Sequence, residues 1–140
     1  VALLAGQLPE RPVDCRAPLA LVPDRHGEKR AVVSPDGALA RTLFRVHERF
    51  AGATLADVEL DTGRTHQIRA HAAHLGHPVA GDERYGDPAF NRTMKQAGLR
   101  RLFLHAARLE FTLDRPLSFT APLPAELAAA LSALRGGAAT

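Results

Sequence analysis

The sequence contains few of the features that mark secreted or membrane proteins. Cys15 is the one cysteine among 140 residues, so no disulfide framework can form within the chain and a reducing, cytoplasmic compartment is expected. No apolar run approaches the roughly 18 residues of a transmembrane helix, so we expect no membrane partner. The Gly-x-Ser-x-Gly element of serine hydrolases and the Gly-rich loop of phosphate-binding enzymes are both absent, which argues against these two classes.

Lysine is also scarce, whereas arginine is abundant. Lys29 and Lys95 are the lysines among 18 basic residues, which outnumber 15 acidic ones and give a net charge of +3. Arginine suits bidentate contacts with phosphate, but an Arg-rich genome explains the same bias equally well. The mild positive charge therefore permits a polyanionic partner without requiring one. The apolar fraction of 46% is ordinary for a globular domain with a real core.

Apolar alternation and turn signals predict more strands than helices. The predicted strands cover residues 1–6, 17–22, 31–34, 41–50, 54–60 and 102–112, with a last short one at Phe119. Helices are predicted at 65–75, 87–97 and 124–134, and Phe44 and Val46 are expected to face the core. Several hairpins among mixed elements indicate an α+β fold with a mixed, mostly antiparallel sheet and flanking helices.

Side chains able to bind or catalyse concentrate between residues 64 and 86. That stretch holds three Arg, four His, a Gln, an Asp and a Tyr. Thr65 is the predicted N-cap of a short helix, and Gly76 is its predicted C-terminal stop. His66 and Arg69 lie three residues apart on this helix, so they are expected to reach one site together. Because a helix N-terminus and arginines attract anions, the expected ligand is a phosphate or a carboxylate.

The four histidines of this stretch invite a zinc interpretation; they are His66, His71, His74 and His77. The His-Glu-x-x-His pattern of metalloproteases is absent. His66 and His71 would point about 140° apart around an α-helix, which is poor geometry for a shared ion. We therefore expect no metal, and a histidine-based, metal-dependent hydrolase is the least favoured alternative.

The same stretch resembles the signature of the RluA family of pseudouridine synthases. The resemblance is carried by Gly63-Arg64-Thr65-His66-Gln67-Ile68-Arg69-x-His71, Gly76-His77-Pro78-Val79, Gly81-Asp82, Tyr85-Gly86 and Leu102-Phe103-Leu104-His105-Ala106. It extends over nearly the whole chain and is closest to the branch that acts on large-subunit ribosomal RNA. It implies a pseudouridine synthase-like fold, isomerisation of uridine to pseudouridine in that RNA, ribosomal RNA as partner, and no metal or organic cofactor.

The resemblance also implies roles for individual residues. Arg69 would be catalytic, because it would pair with the family's nucleophilic Asp and keep that carboxylate ionised and aimed. Leu104 would form an apolar wall against the uridine, which must leave its stack to react. Arg64, His66 and Gln67 would lie near the RNA backbone or the pocket rim.

One family element is missing from this sequence. The family's nucleophile lies in His-Arg-Leu-Asp-x-x-Thr-Ser-Gly, and no Asp of this chain is followed by x-x-Thr-Ser-Gly. The family's pocket Tyr would precede Ala2, with one residue between them. Residues 1–135 are therefore expected to be the C-terminal portion of a catalytic domain, inactive alone and lacking its N-terminal half as partner, and residues 136–140 a flexible tail. The alternative is a non-catalytic RNA-binding remnant.

Overall fold

A computed structural model of the chain describes the backbone of residues 1–112 and 115–137, and the side chains of 1–107 and 115–136. The elements in chain order are β1 (Ala2–Ala5), β2 (Val13–Cys15), β3 (Leu19–Pro23), β4 (Lys29–Val33), β5 (Thr42–Phe50), β6 (Ala53–Leu60), α1 (Gln67–His74), α2 (Pro88–Gln96), β7 (Arg108–Thr112), β8 (Pro116–Thr120) and α3 (Ala125–Gly137). The predicted α+β class is confirmed.

An antiparallel sheet forms the centre of the molecule, with strand order β1-β6-β5-β2. The long hairpin β5–β6 is its middle, and a bulge between Val46 and Glu48 shifts the register there. Two further antiparallel hairpins, β3–β4 and β7–β8, lie outside this sheet. After the β3–β4 hairpin, Ala38 forms an isolated antiparallel bridge with Leu19, the first residue of β3.

Both faces of the central sheet are covered, because its strands alternate apolar residues to either side. Leu3 and Leu55 pack with Met94 of α2 and Leu127 of α3 on one face. On the other face, Ala2, Leu4 and Phe44 pack with Ala72 of α1. Each fully buried Leu or Phe contributes about 1.5–3 kcal/mol. Phe44 and the half-buried Val46 lie in the second cluster, so their predicted core orientation is confirmed.

The loops that follow α1 and α2 cover the outer edge of β1. Leu4 forms an isolated bridge with Val79, and Ala2 forms one with Leu104. The predicted strand over 102–112 is therefore wrong in its first half, because residues there pair only singly with β1, and the regular strand begins at Arg108. Strand β2, in the Pro-rich segment, was not predicted.

The remaining helices agree with the sequence prediction. Helix α2 is capped by the Asp87 side chain, which accepts a hydrogen bond from the Ala89 N–H. Helix α3 buries Leu127 and Leu131 and continues to Gly137, so two residues of the expected tail are helical; residues 138–140 lie outside the described part. None of the described helices has the length and apolar character needed to cross a membrane.

Candidate functional site

Helix α1 begins at Gln67, one residue later than a Thr65 N-cap would place it. His66 occupies the capping position in the left-handed region, with φ of 51°, and its side chain makes no capping bond. The predicted N-cap at Thr65 is wrong, because the Gln67 side chain organises the preceding turn instead. Its Oε1 accepts hydrogen bonds from the Thr62 hydroxyl and the Arg64 N–H, at 2.7 and 3.0 Å.

The Gln67 amide also joins α1 to the start of β5. Its Nε2 donates to the Arg41 carbonyl at 2.8 Å and to the Thr42 hydroxyl at 3.0 Å. The residue is 3% exposed, and all four hydrogen-bonding positions of its amide are occupied. The Gln67 side chain therefore has no group left for RNA, and its effect on a site is to fix the turn that carries Arg64 and His66.

His71 continues the same network inside the protein. Because the Thr42 hydroxyl accepts from Gln67, its proton is directed to His71 Nδ1, 2.7 Å away. His71 Nε2 then donates to the Ala17 carbonyl at 2.8 Å. The imidazole is fully buried, and burial lowers the pKa of His71. His71 is thus a neutral core histidine that ties α1 to the segment before β3.

Arg69 pairs with Asp82 through two parallel hydrogen bonds. Its Nε donates to Asp82 Oδ2 and its Nη2 to Oδ1, both at 2.9 Å. The Asp82 side chain has no exposed surface, whereas that of Arg69 is 17% exposed. Such bidentate pairs fix the plane of the guanidinium as well as its position. Arg69 Nη1 makes no hydrogen bond with any residue that the structure describes.

Asp82 is held ionised in spite of its burial. Desolvation raises its pKa, but the hydrogen bond from Arg69 and those from the backbone N–H groups of Tyr85 and Arg84 together outweigh it, so the pKa is lowered. Those N–H groups lie 3.0 Å from Oδ1. The hydrogen bond to Asp82 correspondingly raises the pKa of Arg69. Arg69 and Asp82 therefore both stay charged throughout the neutral pH range.

The loop that carries Asp82 is shaped by close backbone approach. Gly81 has φ of +78°, and a Cβ there would lie 2.0 Å from the Arg101 carbonyl oxygen. The Asn91 side chain of α2 accepts from the Gly81 N–H and donates to the Asp82 carbonyl, each at 2.9 Å. These two hydrogen bonds from α2 fix the backbone of the loop, so that the Asp82 side chain faces Arg69.

Tyr85 lies at the centre of three guanidinium groups. The distances from the ring centroid to the guanidinium carbons are 4.4 Å for Arg30, 5.0 Å for Arg69 and 5.9 Å for Arg84. Contacts of this kind attract cations to the ring face. Arg30 also donates to the Arg84 carbonyl at 2.6 Å, so the β3–β4 hairpin and the 81–86 loop meet at this cluster.

The Tyr85 hydroxyl lies between the His66 ring and the backbone of Ala31 and favours one tautomer of His66. It accepts from the buried Ala31 N–H at 2.8 Å, so its own proton is free to point at His66 Nδ1, 2.9 Å away. Nδ1 is then the acceptor and the ring proton resides on Nε2. Burial, with Arg69 and Arg84 nearby, lowers the pKa of His66. His66 and Arg69 thus do share one site, as their spacing predicts.

The other residues singled out in the sequence are placed as follows. Arg64 is exposed and donates from Nε to the Leu39 carbonyl at 2.8 Å. Leu104 is half-buried against the cluster that contains Leu4 and Ala72. His77 bonds the Ala5 carbonyl at 2.8 Å. Among the described residues no group of three or more His, Cys, Asp or Glu has metal-binding geometry.

A groove of about 510 Å³ opens beside the start of α1. The β3–β4 hairpin forms one wall through Leu19 and Leu21, and Gly63, Arg64 and Thr65 form part of the other. Leu21 is 48% exposed. The groove therefore combines an apolar wall with a guanidinium, next to the helix that carries Arg69.

A model of the RNA pseudouridylate synthase family matches residues 7–74. The ribosomal large subunit pseudouridine synthase C of Haemophilus ducreyi is 43% identical over 96% of this chain and 43% of its own length. That of Escherichia coli K12 is 47% identical over 80% of this chain and 36% of its own length. The chain belongs to the RluA family of pseudouridine synthases. It spans less than half the length of these relatives.

Two solved structures of human pseudouridylate synthase domain proteins have the same fold. Human RNA pseudouridylate synthase domain containing 4 superposes with a TM-score of 0.75 over 96% of this chain and 60% of its own, at 23% identity. Human RNA pseudouridylate synthase domain containing 1 gives a TM-score of 0.67 over 86% of this chain and 52% of its own, at 28% identity. The pseudouridine synthase fold is confirmed.

Two residues of this site were not assigned from the sequence. Asp82 and Tyr85 both belong to the stretch that resembles the RluA family, but neither was given a place beside Arg69. A signal existed, since Gly81 and Gly86 flank them closely and glycine pairs mark tightly turned backbone. The pairing itself needed the fold, because Arg69 and Asp82 are 13 residues apart and the sequence does not show that the carboxylate is buried beside the guanidinium.

Proposed function

We propose that this chain supplies part of the catalytic domain of an enzyme that isomerises uridine to pseudouridine in large-subunit ribosomal RNA. The observation that carries the proposal is the guanidinium of Arg69, anchored on one edge by Asp82 and left with Nη1 available. An arginine fixed in this way is suited to receive a second carboxylate. We assign that carboxylate to a nucleophilic Asp outside the 140 residues.

The reaction exchanges one bond to ribose carbon 1′ for another. The bond from C1′ to uracil N1 breaks, the base turns, and a bond from C1′ to C5 forms; C5 loses its proton and N1 ends protonated. The nucleophilic carboxylate must be ionised when it attacks the uridine, and the bond that it forms breaks again before the C1′–C5 product is released. Arg69 would lower the pKa of that carboxyl and orient it, while Asp82 prevents Arg69 from rotating away.

The remaining assigned residues would hold the RNA around this centre. Arg64 is exposed beside the groove and carries N–H groups suited to phosphate. His66 offers Nε2–H as a donor from the same turn. Leu104 would present an apolar surface to the uracil after it is extruded from its stack. Gln67 contributes indirectly, through the turn that it holds.

A chimera tests the proposal directly. This chain would replace the matching segment of the E. coli relative, which is 47% identical to it, so that the remainder of that enzyme supplies the nucleophilic Asp element. We expect the chimera to form pseudouridine in transcribed large-subunit ribosomal RNA, and the 140-residue chain alone to form none. Pseudouridine is measured by carbodiimide labelling and primer extension, and folding by circular dichroism.

The outcomes separate the alternatives. A folded chimera that binds the RNA but forms no pseudouridine favours the RNA-binding remnant. Pseudouridine formed by the 140 residues alone would show that the nucleophile lies within this chain. Chimera activity that persists in Arg69→Ala would contradict the role given to Arg69.

A further inference from the structure

The exposed face of α2 carries positive charge that the site around Arg69 does not use. Arg92 and Lys95 lie three residues apart, close to one turn of this helix, and Arg100 follows its C-terminal turn. Together with Asn91 and the 81–86 loop, these side chains line a groove of about 250 Å³. All three basic side chains are exposed.

These three charges have no counter-ion in the part of the chain that the structure describes. Neither Arg92, Lys95 nor Arg100 forms an ion pair there, whereas Arg41 pairs with Asp14 and Arg135 with Glu48. Two acidic residues line the same groove. The charge of Asp82 is already paired with Arg69, which leaves Glu83 against three cations. The groove therefore has an excess of positive charge.

The groove and the Arg69 site are built on one loop. Asn91, on the groove wall, holds the backbone of Gly81 and Asp82 through two hydrogen bonds of 2.9 Å. The Asp82 side chain, attached to the same backbone, holds Arg69. An anionic chain bound in the groove would thus lie against the loop that positions the reaction centre.

We propose that this α2 groove binds the phosphodiester backbone of ribosomal RNA outside the nucleotide that reacts. The inference rests on the proposed function for the identity of the RNA. Three cations within a short groove suit two or three successive phosphates better than a single small anion. Such contacts carry little sequence information, and they set affinity and its dependence on salt.

The test compares two triple variants of the 140-residue chain by filter binding to transcribed large-subunit ribosomal RNA. In the groove variant, Arg92, Lys95 and Arg100 become Ala; in the control variant, the exposed Arg11, Arg25 and Arg115 become Ala, so that both lose three charges. We expect the groove variant to bind at least tenfold more weakly in low salt, with its log–log salt slope reduced by about 2. Thermal melting should be unchanged in both.

Two results would contradict the groove proposal. Equal loss of affinity in both variants would mean that net charge, and not the groove, attracts RNA. Wild-type binding to poly-glutamate but not to the RNA would assign the groove to an acidic peptide. In the chimera, the groove substitutions should raise KM tenfold or more and leave kcat unchanged. If the chimera is active and the groove substitutions leave its KM unchanged, the groove proposal is wrong and the proposed activity stands. If the chimera is inactive but its RNA binding still depends on the groove, the proposed activity is wrong and the groove proposal stands.

Discussion

Arg69 and Asp82 form a bidentate ion pair within the chain, with both hydrogen bonds at 2.9 Å and the carboxylate fully buried. The sequence led us to expect a carboxylate from outside the chain as the partner of Arg69. The pair found here uses only two of the five N–H groups of a guanidinium. It therefore leaves N–H groups that could donate to a second carboxylate, and it gives Arg69 a fixed orientation.

Removal of Arg69 should affect stability as well as activity. Arg69→Ala is expected to abolish turnover of the chimera while RNA affinity changes less than about threefold, because the role proposed for Arg69 is to orient the nucleophile and not to hold the RNA backbone. The same substitution should lower the free energy of unfolding by about 3 kcal/mol, since it leaves a buried carboxylate without its counter-charge. Urea denaturation and the pseudouridine assay measure the two effects.

A double variant separates these effects. In Arg69→Ala/Asp82→Asn the buried charge is gone, and Asn Oδ1 can still accept from the N–H groups of Arg84 and Tyr85. We expect it to regain at least about 1 kcal/mol of the lost stability, because an unpaired buried charge costs more than a neutral amide, and to remain inactive. Activity that returned with stability would mean that Arg69 acts only by stabilising the fold.

The sequence predicted local structure better than tertiary contacts. The strands β5 and β6 and the helices α2 and α3 follow from patterns that repeat within a few residues. The site depends on contacts between distant positions, such as Tyr85 with Ala31, 54 residues away. Residues 102–104 have the apolar pattern of a strand, but the loop that they form pairs only singly with β1. An apolar sequence pattern does not show which sheet edge a segment can pair with, or for how many residues.

The start of α1 shows why a local rule failed. Thr65 is a favoured N-cap residue, but Gln67 Oε1 satisfies the preceding turn from inside the helix. The backbone at His66 consequently enters the left-handed region, which is uncommon for a residue with a side chain. The strain of that conformation is offset by the buried hydrogen bonds from Gln67 to Arg41 and Thr42. These partners lie about 25 residues away in the sequence, so a local rule cannot take them into account.

Tyr85→Phe should disturb His66 selectively. The change leaves the ring for Arg30, Arg69 and Arg84 but removes the hydroxyl that accepts from Ala31 and donates to His66. We expect a loss of about 1–3 kcal/mol in unfolding free energy from the orphaned Ala31 N–H. The pKa of His66 should rise, because its neutral form loses a hydrogen-bond donor. NMR titration of the imidazole measures this, and an unchanged pKa would contradict the assigned tautomer.

Gly81 and Gly76 allow steric conflict to be separated from backbone strain. Both have positive φ, +78° and +82°, but a Cβ at Gly81 would meet the Arg101 carbonyl whereas one at Gly76 would meet nothing within 4 Å. Gly76→Ala should cost about 1–2 kcal/mol for the left-handed backbone alone. Gly81→Ala should cost clearly more and weaken the Arg69–Asp82 pair. Similar losses in urea denaturation would show that the loop relaxes without penalty.

His71 should make the protein less stable in mild acid. Its pKa is lowered in the folded state by burial, so the unfolded chain, with an ordinary histidine pKa of about 6.5, binds the proton first. Its contribution is complete above pH 6.5 and is lost as the pH falls towards the folded value, by at most about 1.4 kcal/mol per pH unit. His66 acts in the same direction.

Urea denaturation at pH 7.5 and 5.5 measures the difference in stability. His71→Gln should be less stable than the wild type at pH 7.5 and should lose less stability on acidification. An equal acid-dependent loss in His71→Gln and wild type would mean that His71 is already protonated in the folded protein, contrary to the hydrogen-bond chain from Gln67 through Thr42.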